Sequence, residues 1–276
     1  MNRVRKLGFT LSREYAISHR KLIHLDAVVA AMTGIWGFYD FHPDHVLQFG
    51  GRLDLINRLA DEGRDFLSVE GWDVPAVVAD GIFDGTQMLA AGQFAGTQVL
   101  MNESPLAVAN TATTIAGAFY PLSGNGGANN IAMIGALANA RIQLSRSTND
   151  LTLTVGVVGA DAVSILLENE LVQDAWNFYA LSYDDATGEV GISLNGGTKR
   201  TATHTQINGS VSWGSVFAIG NKTDSSDDDG LDGYLGPHVV FLGDGDAGNL
   251  LAESRRKDFN NLCLFLARAT GASPEV

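Results

Sequence analysis

The residues with the most evident capacity for chemistry are five aspartates in one short acidic loop. They lie between Thr223 and Asp232, in a run that also holds two serines and Gly230. Carboxylates and backbone carbonyls in a turn can supply several of the roughly six to eight oxygen ligands that Ca²⁺ takes. The spacing does not match an EF-hand, however, and an acidic run is more typical of a solvated loop. We therefore predict no metal or other cofactor, with calcium bound by this loop as the alternative: Asp224, Asp227, Asp228, Asp229 and Asp232.

Other spacings that would support catalysis or metal binding are interrupted or missing. His42-Pro43-Asp44-His45 places two imidazoles beside a carboxylate, but Pro43 would break a helix that aligned them, so we interpret the segment as a surface turn. The sequence has no Gly-x-Ser-x-Gly, no His-Glu-x-x-His and no phosphate-binding Gly-x-x-x-x-Gly-Lys-Ser/Thr motif. We predict that the protein is not an enzyme and has no catalytic residues.

Four tryptophans are candidates for stacking on sugar rings, because an exposed indole suits the apolar face of a pyranose. They are Trp36, Trp72, Trp176 and Trp213. Trp213 is flanked by Ser210, Ser212, Gly214 and Ser215, and this polar setting makes it the one that we expect to be exposed. A tryptophan between strands is more often buried than ligand-facing. Trp213 is therefore our only predicted glycan-binding residue.

A basic arm precedes an acidic body. Residues 1–21 hold six basic residues against Glu14, a net charge of +5, whereas residues 22–276 hold 12 basic and 30 acidic residues, a net charge of -18. The arm lacks the interleaved aromatics of a nucleic-acid binder and the apolar face of a membrane helix, so we predict neither partner. Docking on an acidic protein surface, including another copy of the chain, suits this charge layout best. The predicted docking residues are Arg3, Arg5, Lys6, Arg13, Arg20 and Lys21.

Composition indicates a folded, turn-rich protein. The chain has 276 residues, 45% hydrophobic and 18% charged, with 32 glycines and a formal net charge of -13. Cys263 is the only cysteine, which excludes an internal disulfide or a multi-cysteine metal site. The N-terminal residues lack an apolar run of signal-peptide length, and the longest uncharged stretch, residues 104–140, is broken by turn residues. We expect neither a signal peptide nor insertion in a membrane.

Strand patterns dominate from Val74 onwards. Short β-branched or aromatic runs separated by Gly, Asn, Asp and Ser favour a sandwich or barrel over βαβ units. The predicted strands are 75–83, 111–120, 130–134, 141–144, 151–158, 162–167, 176–183, 190–194, 201–205, 216–219 and 234–242. Apolar spacing predicts a short helix over Leu53–Asp61 and an amphipathic terminal helix between Leu250 and Ala267. We divide the chain into an N-terminal attachment segment, residues 1–73, and a β-domain with its terminal helix, residues 74–276.

Three motifs in order resemble the concanavalin A-like lectin/glucanase superfamily, particularly its laminin G-like and pentraxin-like jelly rolls. The first is Asp80-Gly81-Ile82-Phe83-Asp84-Gly85. The second is the hairpin that runs from Trp176 through Asp184 to Asn195-Gly196. The third joins Phe217-Ala218-Ile219-Gly220 to Leu231-Asp232-Gly233-Tyr234 and Val239-Val240-Phe241. The resemblance covers about the last two hundred residues, and the terminal helix is similar to that of bacterial and bacteriophage versions.

The resemblance implies an all-β, concanavalin A-like jelly-roll sandwich in which Trp176 is a core residue. Glucanases of this superfamily carry a Glu-x-Asp-x-x-Glu strand, which supplies the paired carboxylates of glycosidic cleavage. That strand is missing, because Glu168-Asn169-Glu170 has only part of the spacing. A hydrolase is therefore the least favoured interpretation.

Two functions remain open. The first is a non-enzymatic structural protein of a bacteriophage virion, either a head decoration protein or a tail or fibre component. It would be a homo-oligomer that docks on other virion proteins through its arm and displays a lectin-like body to host-surface glycans. The alternative is a carbohydrate-binding lectin module of a bacterial envelope or extracellular protein, located outside the cell or at its surface. Fold alone does not decide between them.

Overall fold

The fold was obtained as a computed structural model. It describes residues 29, 31–59, 64–78, 82–83, 86–87, 90–102, 111–124, 129–135, 140–157, 159–205, 217–222 and 229–270. Within these residues the chain forms nineteen β-strands, three single-turn 3-10 helices and one α-helix.

The strands, in chain order, are β1 Ile35–Tyr39, β2 Val46–Phe49, β3 Arg52–Leu55, β4 Phe66–Ser68, β5 Ala76–Val78, β6 Ile82–Phe83, β7 Thr86–Gln87, β8 Ala91–Ala95, β9 Leu100–Asn102, β10 Ala112–Pro121, β11 Asn129–Gly135, β12 Ala140–Ser147, β13 Asp150–Val157, β14 Val163–Leu167, β15 Asn177–Asp184, β16 Glu189–Leu194, β17 Arg200–Thr203, β18 Phe217–Ile219 and β19 Asp232–Gly243. The 3-10 helices are Pro43–His45, Gly245–Ala247 and Glu253–Arg255, and the last leads directly into α1, Arg256–Thr270.

Two antiparallel sheets form the sandwich. The helix-side sheet has the strand order β17-β16-β15-β10-β19-β8-β5, with β1 paired to the second half of β19. The outer sheet has the order β14-β13-β12-β11-β18-β9-β4-β3-β2. Strands β6 and β7 form a separate hairpin. The predicted all-β sandwich is confirmed.

The core between the sheets follows from alternation along the strands. On β12, Ile142 and Leu144 point inward and are fully buried, whereas Gln143 and Ser145 point outward and are partly exposed. On β13, Leu151, Leu153 and Val155 also point inward and are fully buried. Because side chains alternate across a strand, this period of two buries one face of the outer sheet. The facing side chains come from the helix-side sheet, including Ile115 and Leu181.

A second apolar cluster lies on the other face of the helix-side sheet, where α1 packs. Phe259, Leu262 and Leu266 of α1 are buried in it together with Trp176 and Phe241. Strands β10 and β15 are therefore covered on both faces, which explains their nearly continuous apolar sequences. The predicted amphipathic helix and the core position of Trp176 are both confirmed.

Cys263 lies on α1 beside Gly196, among the apolar positions predicted for it. Burial raises the pKa of its thiol to about 12. The thiol is therefore protonated near neutral pH and is a packing residue.

The helix predicted over Leu53–Asp61 is wrong in its described part. Residues 52–55 form β3, which pairs with β2 on one side and with β4 on the other. Leu53 and Leu55 are fully buried at a spacing of two, and Asp54 lies on the opposite face. Pairing with two neighbouring strands has overridden the helical spacing.

Strands on both sides of residue 73 share the two sheets. Strand β1 pairs with β19, and β4 pairs with β9, so both of these early strands are built into the sandwich. The break in sequence pattern near residue 73 therefore does not coincide with a break in strand pairing. No helix in the described part of the chain has the length and apolar character needed to cross a bilayer.

Candidate functional site

Most of the residues singled out from the sequence lie outside the described residues. These are the six basic residues of the arm, Trp213, and three members of the acidic loop, Asp224, Asp227 and Asp228. The docking, stacking and calcium predictions that rest on them remain predictions.

The two described aspartates of the acidic loop serve local structure. The backbone carbonyl of Asp229 accepts hydrogen bonds from the backbone N–H and the side-chain amide of Asn130, and its carboxylate pairs with Lys222. Asp232 begins β19 and raises the pKa of the buried Arg146, against the larger lowering by burial. Among the described residues, no group of three or more His, Cys, Asp or Glu side chains is arranged to hold a metal ion.

The two imidazoles of His42-Pro43-Asp44-His45 form hydrogen bonds within their turn. The Nδ1 atom of His42 accepts from the backbone N–H of Asp44 at 3.2 Å, and Nδ1 of His45 lies 2.7 Å from Oδ1 of Asp40. Burial alone would raise the pKa of Asp40, but the bond to His45 and the charge of Arg58 hold it below its usual value. The segment was predicted as a surface turn; it forms a single-turn 3-10 helix, Pro43–His45, whose N-cap residue His42 is buried.

The described tryptophans differ in exposure. Trp36 and Trp176 are buried, and the guanidinium of Arg64 stacks on the Trp36 ring at 4.9 Å. Trp72 is partly exposed in the turn that follows β4. Phe49 is an exposed aromatic ring in the described part of the chain, with 57% of its surface accessible.

Phe49 stands at the tip of the β2–β3 hairpin, which forms the edge of the outer sheet. The two-residue turn is Gly50-Gly51, with φ angles of +56° and +79°. Positive φ at both central positions is the requirement of a type I′ turn, which matches the twist of the flanking strands. The register pairs Phe49 with Arg52 and Leu47 with Asp54. All four side chains lie on the face that points away from the core.

Arg52 links the members of this outward face. Its Nε donates to Oδ1 of Asp54 at 2.7 Å, and its guanidinium carbon lies 5.9 Å from the centre of the Phe49 ring. The Asp54 side chain is only 11% exposed, whereas that of Arg52 is 46% exposed. The arginine is therefore held in place by its carboxylate partner while its outer surface stays open to solvent.

A small cavity of about 200 Å³ adjoins the hairpin. Its lining includes Arg52, the apolar side chains of Leu67 and Met101, and the exposed Glu70. Leu67 pairs with Asp54 on one side and with Met101 on the other, so the cavity continues the outward row of the hairpin. Ser68 fixes the floor, because its hydroxyl accepts from the backbone N–H of Leu53 at 2.9 Å.

This corner combines two kinds of contact on one surface. Phe49, Leu47, Leu67 and Met101 offer apolar area, while Arg52 and Glu70 offer a donor and an acceptor beside it. A flat ligand with one apolar face and polar groups at its edge satisfies both kinds of contact. Among the described residues of this corner, no nucleophile is paired with a base. We call Leu47, Phe49, Arg52, Asp54, Leu67, Glu70 and Met101 the hairpin site.

Two larger concavities lie elsewhere in the part of the chain that the structure describes. A cleft of about 660 Å³ lies where β14 and β17 leave the two sheets, with Asp161, Thr203 and Thr205 in its lining. A groove of about 470 Å³ separates the turn after β16 from the start of α1, with Lys199, Arg256 and Phe259 in its lining. Phe259 is buried, so neither concavity presents the exposed aromatic surface of the hairpin site.

Sequence reasoning missed the hairpin site because it assigned residues 53–61 to a helix. The signal was nevertheless present in Val46-Leu47-Gln48-Phe49 followed by Gly50-Gly51 and a second short alternating run. Two glycines between alternating runs are a strong hairpin indication. An exposed phenylalanine beside them could have been proposed with Trp213.

Comparison with known proteins supports the fold. Domain 4 of AbnA, an extracellular GH43 arabinanase from Geobacillus stearothermophilus solved with arabinotriose, aligns with a TM-score of 0.53 and 18% identity over 83% of this chain and 98% of that one. The ligand-binding domain of botulinum neurotoxin serotype D, solved with N-acetylneuraminic acid, aligns at 0.54 and 9% identity over 86% of this chain and 52% of that one. The receptor-binding domain of the C/D mosaic serotype gives 0.54 and 8% over 83% and 51%.

These alignments confirm the jelly-roll β-sandwich fold. The chain spans about half the length of the two toxin domains. No family model matches the sequence, and no curated protein matches it.

Proposed function

We propose that this chain is a non-catalytic carbohydrate-binding protein that holds a sugar ring against Phe49 in the hairpin site. Phe49 provides the stacking surface, and Arg52 and Glu70 hydrogen-bond to hydroxyl groups at the edge of the ring. Asp54 holds Arg52 in position. The sandwich acts as a rigid scaffold that keeps these side chains in place before the ligand arrives.

The observation that carries the proposal is the exposure of Phe49. A phenylalanine with 57% of its surface accessible, beside the exposed Leu47, costs hydrophobic free energy that a buried position would not. Ligand binding recovers that free energy when an apolar sugar face covers the ring. The neighbouring charged groups then provide the orientation that stacking alone lacks.

The structural comparisons support this proposal in one respect. The arabinanase domain was solved with arabinotriose and one toxin domain with N-acetylneuraminic acid, so the same sandwich is used to bind saccharides in other proteins.

A glycan array read with the intact protein tests the proposal. Wild type should bind a subset of glycans, and Phe49→Ala should weaken that binding at least about tenfold, as expected for loss of one stacking contact. Leu166→Ala is the matched control, since Leu166 is 46% exposed on β14 at the opposite edge of the same sheet. Equal binding by wild type and Phe49→Ala would overturn the hairpin site.

The setting in which the module is displayed is a separate proposal. We propose that the basic arm docks the protein on a bacteriophage particle, as a head decoration protein or a tail or fibre component. The support is the separation of charge, +5 over residues 1–21 against -18 over the remainder. Co-sedimentation of the chain with gradient-purified particles, in fixed ratio to a capsid or tail protein, is the expected result. Its absence from particles would favour an envelope or extracellular module.

A further inference from the structure

We infer that the hairpin site selects neutral sugars and discriminates against sugars that carry a carboxylate or sulfate. This inference rests on the proposed function and concerns the ligand of the same site. It is carried by the pairing and exposure of the three charged side chains around Phe49.

The only cation of the hairpin site has its partner already. Arg52 donates to Asp54 at 2.7 Å through Nε, and its guanidinium leans over the Phe49 ring. A ligand carboxylate that approached Arg52 would compete with Asp54 for the same charge. The Asp54 carboxylate is fixed on a central position of the hairpin and is 11% exposed, so it is not displaced by rotation into solvent.

The second acid of the site has no partner among the described residues. Glu70 is exposed at the rim of the cavity and makes no hydrogen bond or ion pair with any described residue. Together with Asp54 and Arg52 it gives the site a net charge of -1. A ligand hydroxyl can donate to this carboxylate, whereas a ligand anion would lie beside it and be repelled.

The net charge of residues 22–276 has the same negative sign as the net charge of the hairpin site. Residues 22–276 have a net charge of -18, so the approach of an anionic ligand is opposed at low ionic strength over distances of about one Debye length. Repulsion by Glu70 within the site and repulsion by the charge of the whole surface therefore both favour uncharged ligands. Salt should weaken the repulsion by the whole surface more than the repulsion within the site.

Matched pairs of short saccharides test the inference: galactotriose with trigalacturonate, and mannotriose with trimannuronate, using the array ligand as reference. Isothermal titration with the intact protein should give binding of the neutral member about tenfold tighter than that of its acidic partner, the order expected for one like-charge contact near a surface. Short ligands and a parallel titration of Phe49→Ala separate this binding from any attraction of anions to the basic arm.

Two variants identify the source of the preference. Glu70→Gln should reduce severalfold the ratio of the Kd of the acidic saccharide to the Kd of its neutral partner. The amide keeps the shape of the side chain and removes its charge. Glu253→Gln is the matched control, since Glu253 is an exposed glutamate beside α1, and it should leave this ratio unchanged. The comparison is made at low and at high sodium chloride concentration.

The possible outcomes are distinct. Phe49-dependent binding of an acidic member as tight as that of its neutral partner would overturn the charge preference and leave the proposed function standing. Failure of every array glycan to bind in a Phe49-dependent way would overturn the proposed function and this inference with it. An unchanged ratio in Glu70→Gln would overturn the assignment of the preference to the site.

Discussion

At the scale of single residues, Gly117 makes room for two buried rings, those of Tyr179 and His238. Gly117 of β10 pairs with Tyr179 on one side and with His238 on the other. The Tyr179 and His238 rings meet above it with centroids 5.8 Å apart. Both are fully buried, and burial lowers the pKa of His238 to about 4. The pair depends on a residue without a side chain between them.

Gly117→Ala should therefore be strongly destabilising. An added Cβ would lie 2.4 Å from Cδ2 of His238 and 2.5 Å from Nε2, so the imidazole would have to move within a packed core. We expect a loss of about 1 to 3 kcal/mol or more in the free energy of unfolding. Gly156→Ala is the control, because its nearest neighbour is Cζ of Arg141 at 3.6 Å. Urea denaturation that shows equal losses for both variants would contradict this packing.

His238 predicts a pH dependence of stability. Its folded pKa of about 4 lies below the ordinary value of 6.5, so between these pH values the unfolded chain binds a proton that the folded chain does not. Stability conferred by neutral His238 is complete above about pH 6.5 and is lost as the pH falls towards 4. Between these two pH values the free energy of unfolding should fall by about 3 kcal/mol because of His238.

Urea denaturation at pH 7 and at pH 4.5 measures this effect. His238→Leu should show a smaller drop between the two conditions than wild type, whatever its stability at pH 7. The partly exposed His45 provides the control variant His45→Gln. A drop of the same size in wild type and His238→Leu would show that His238 does not control this window.

At the same scale, the exposure of a side chain is hard to predict from the sequence. Trp213 was proposed for its polar neighbours and lies outside the described residues, whereas Phe49 is exposed in the structure but was not proposed. Exposure depends on which sheet face a strand turns to solvent, and that is set by pairing with β3 and β4. A single residue's neighbours in sequence do not contain that information.

Among the elements, the strands from β10 onwards were predictable and those before it mostly were not. The predicted strands 111–120, 151–158 and 190–194 agree with β10, β13 and β16 to within one residue at each end. They are separated by clear turn residues and have enough length to show their period. Strands β3, β4 and β9 have three or four residues each, too few for period alone to separate strand from helix.

The β2–β3 turn makes a prediction about both stability and binding. Gly51→Val places a β-branched side chain at φ +79°, which should cost about 1 to 2 kcal/mol and splay Phe49 away from Arg52. Gly50→Asn should be nearly neutral, because asparagine tolerates positive φ and an added Cβ meets nothing within 4 Å. Thermal unfolding and glycan titration of both variants provide the measurement.

We expect Gly51→Val to lose thermal stability and glycan affinity and Gly50→Asn to keep both. If Gly51→Val keeps both the melting temperature and the glycan affinity of wild type, the turn does not control the hairpin site. If Gly50→Asn fails as badly as Gly51→Val, the type I′ assignment is wrong.

For the whole molecule, the arm and the body are expected to be separable. Deletion of residues 2–24 removes all six basic residues of the arm and spares Val29, which is buried against the α1 cluster. The truncated body should therefore keep its melting temperature, remain soluble and elute later from an anion-exchange column, since it loses a net positive charge. It should also lose its attachment to any assembly that the full chain joins. Unfolding of the truncated body would place the arm in the core.

The sandwich architecture was predictable from the spacing of the turns and from the three motifs in order. The participation of strands β1 to β4 in the two sheets was not, because short strands that pair with partners distant in sequence leave little local pattern. The pairing of β1 with β19 is an example. The hairpin site proposed for binding lies mainly on these early strands, so the missed elements and the missed candidate site have one cause.

A crystal structure of the protein with a bound oligosaccharide from the array tests the central claim most directly. The account predicts a sugar ring stacked on Phe49, with hydroxyl groups within hydrogen-bonding distance of Arg52 and Glu70. A saccharide bound instead in the cleft lined by Asp161 and Thr203, or in the groove beside α1, with Phe49 left uncovered, would contradict it.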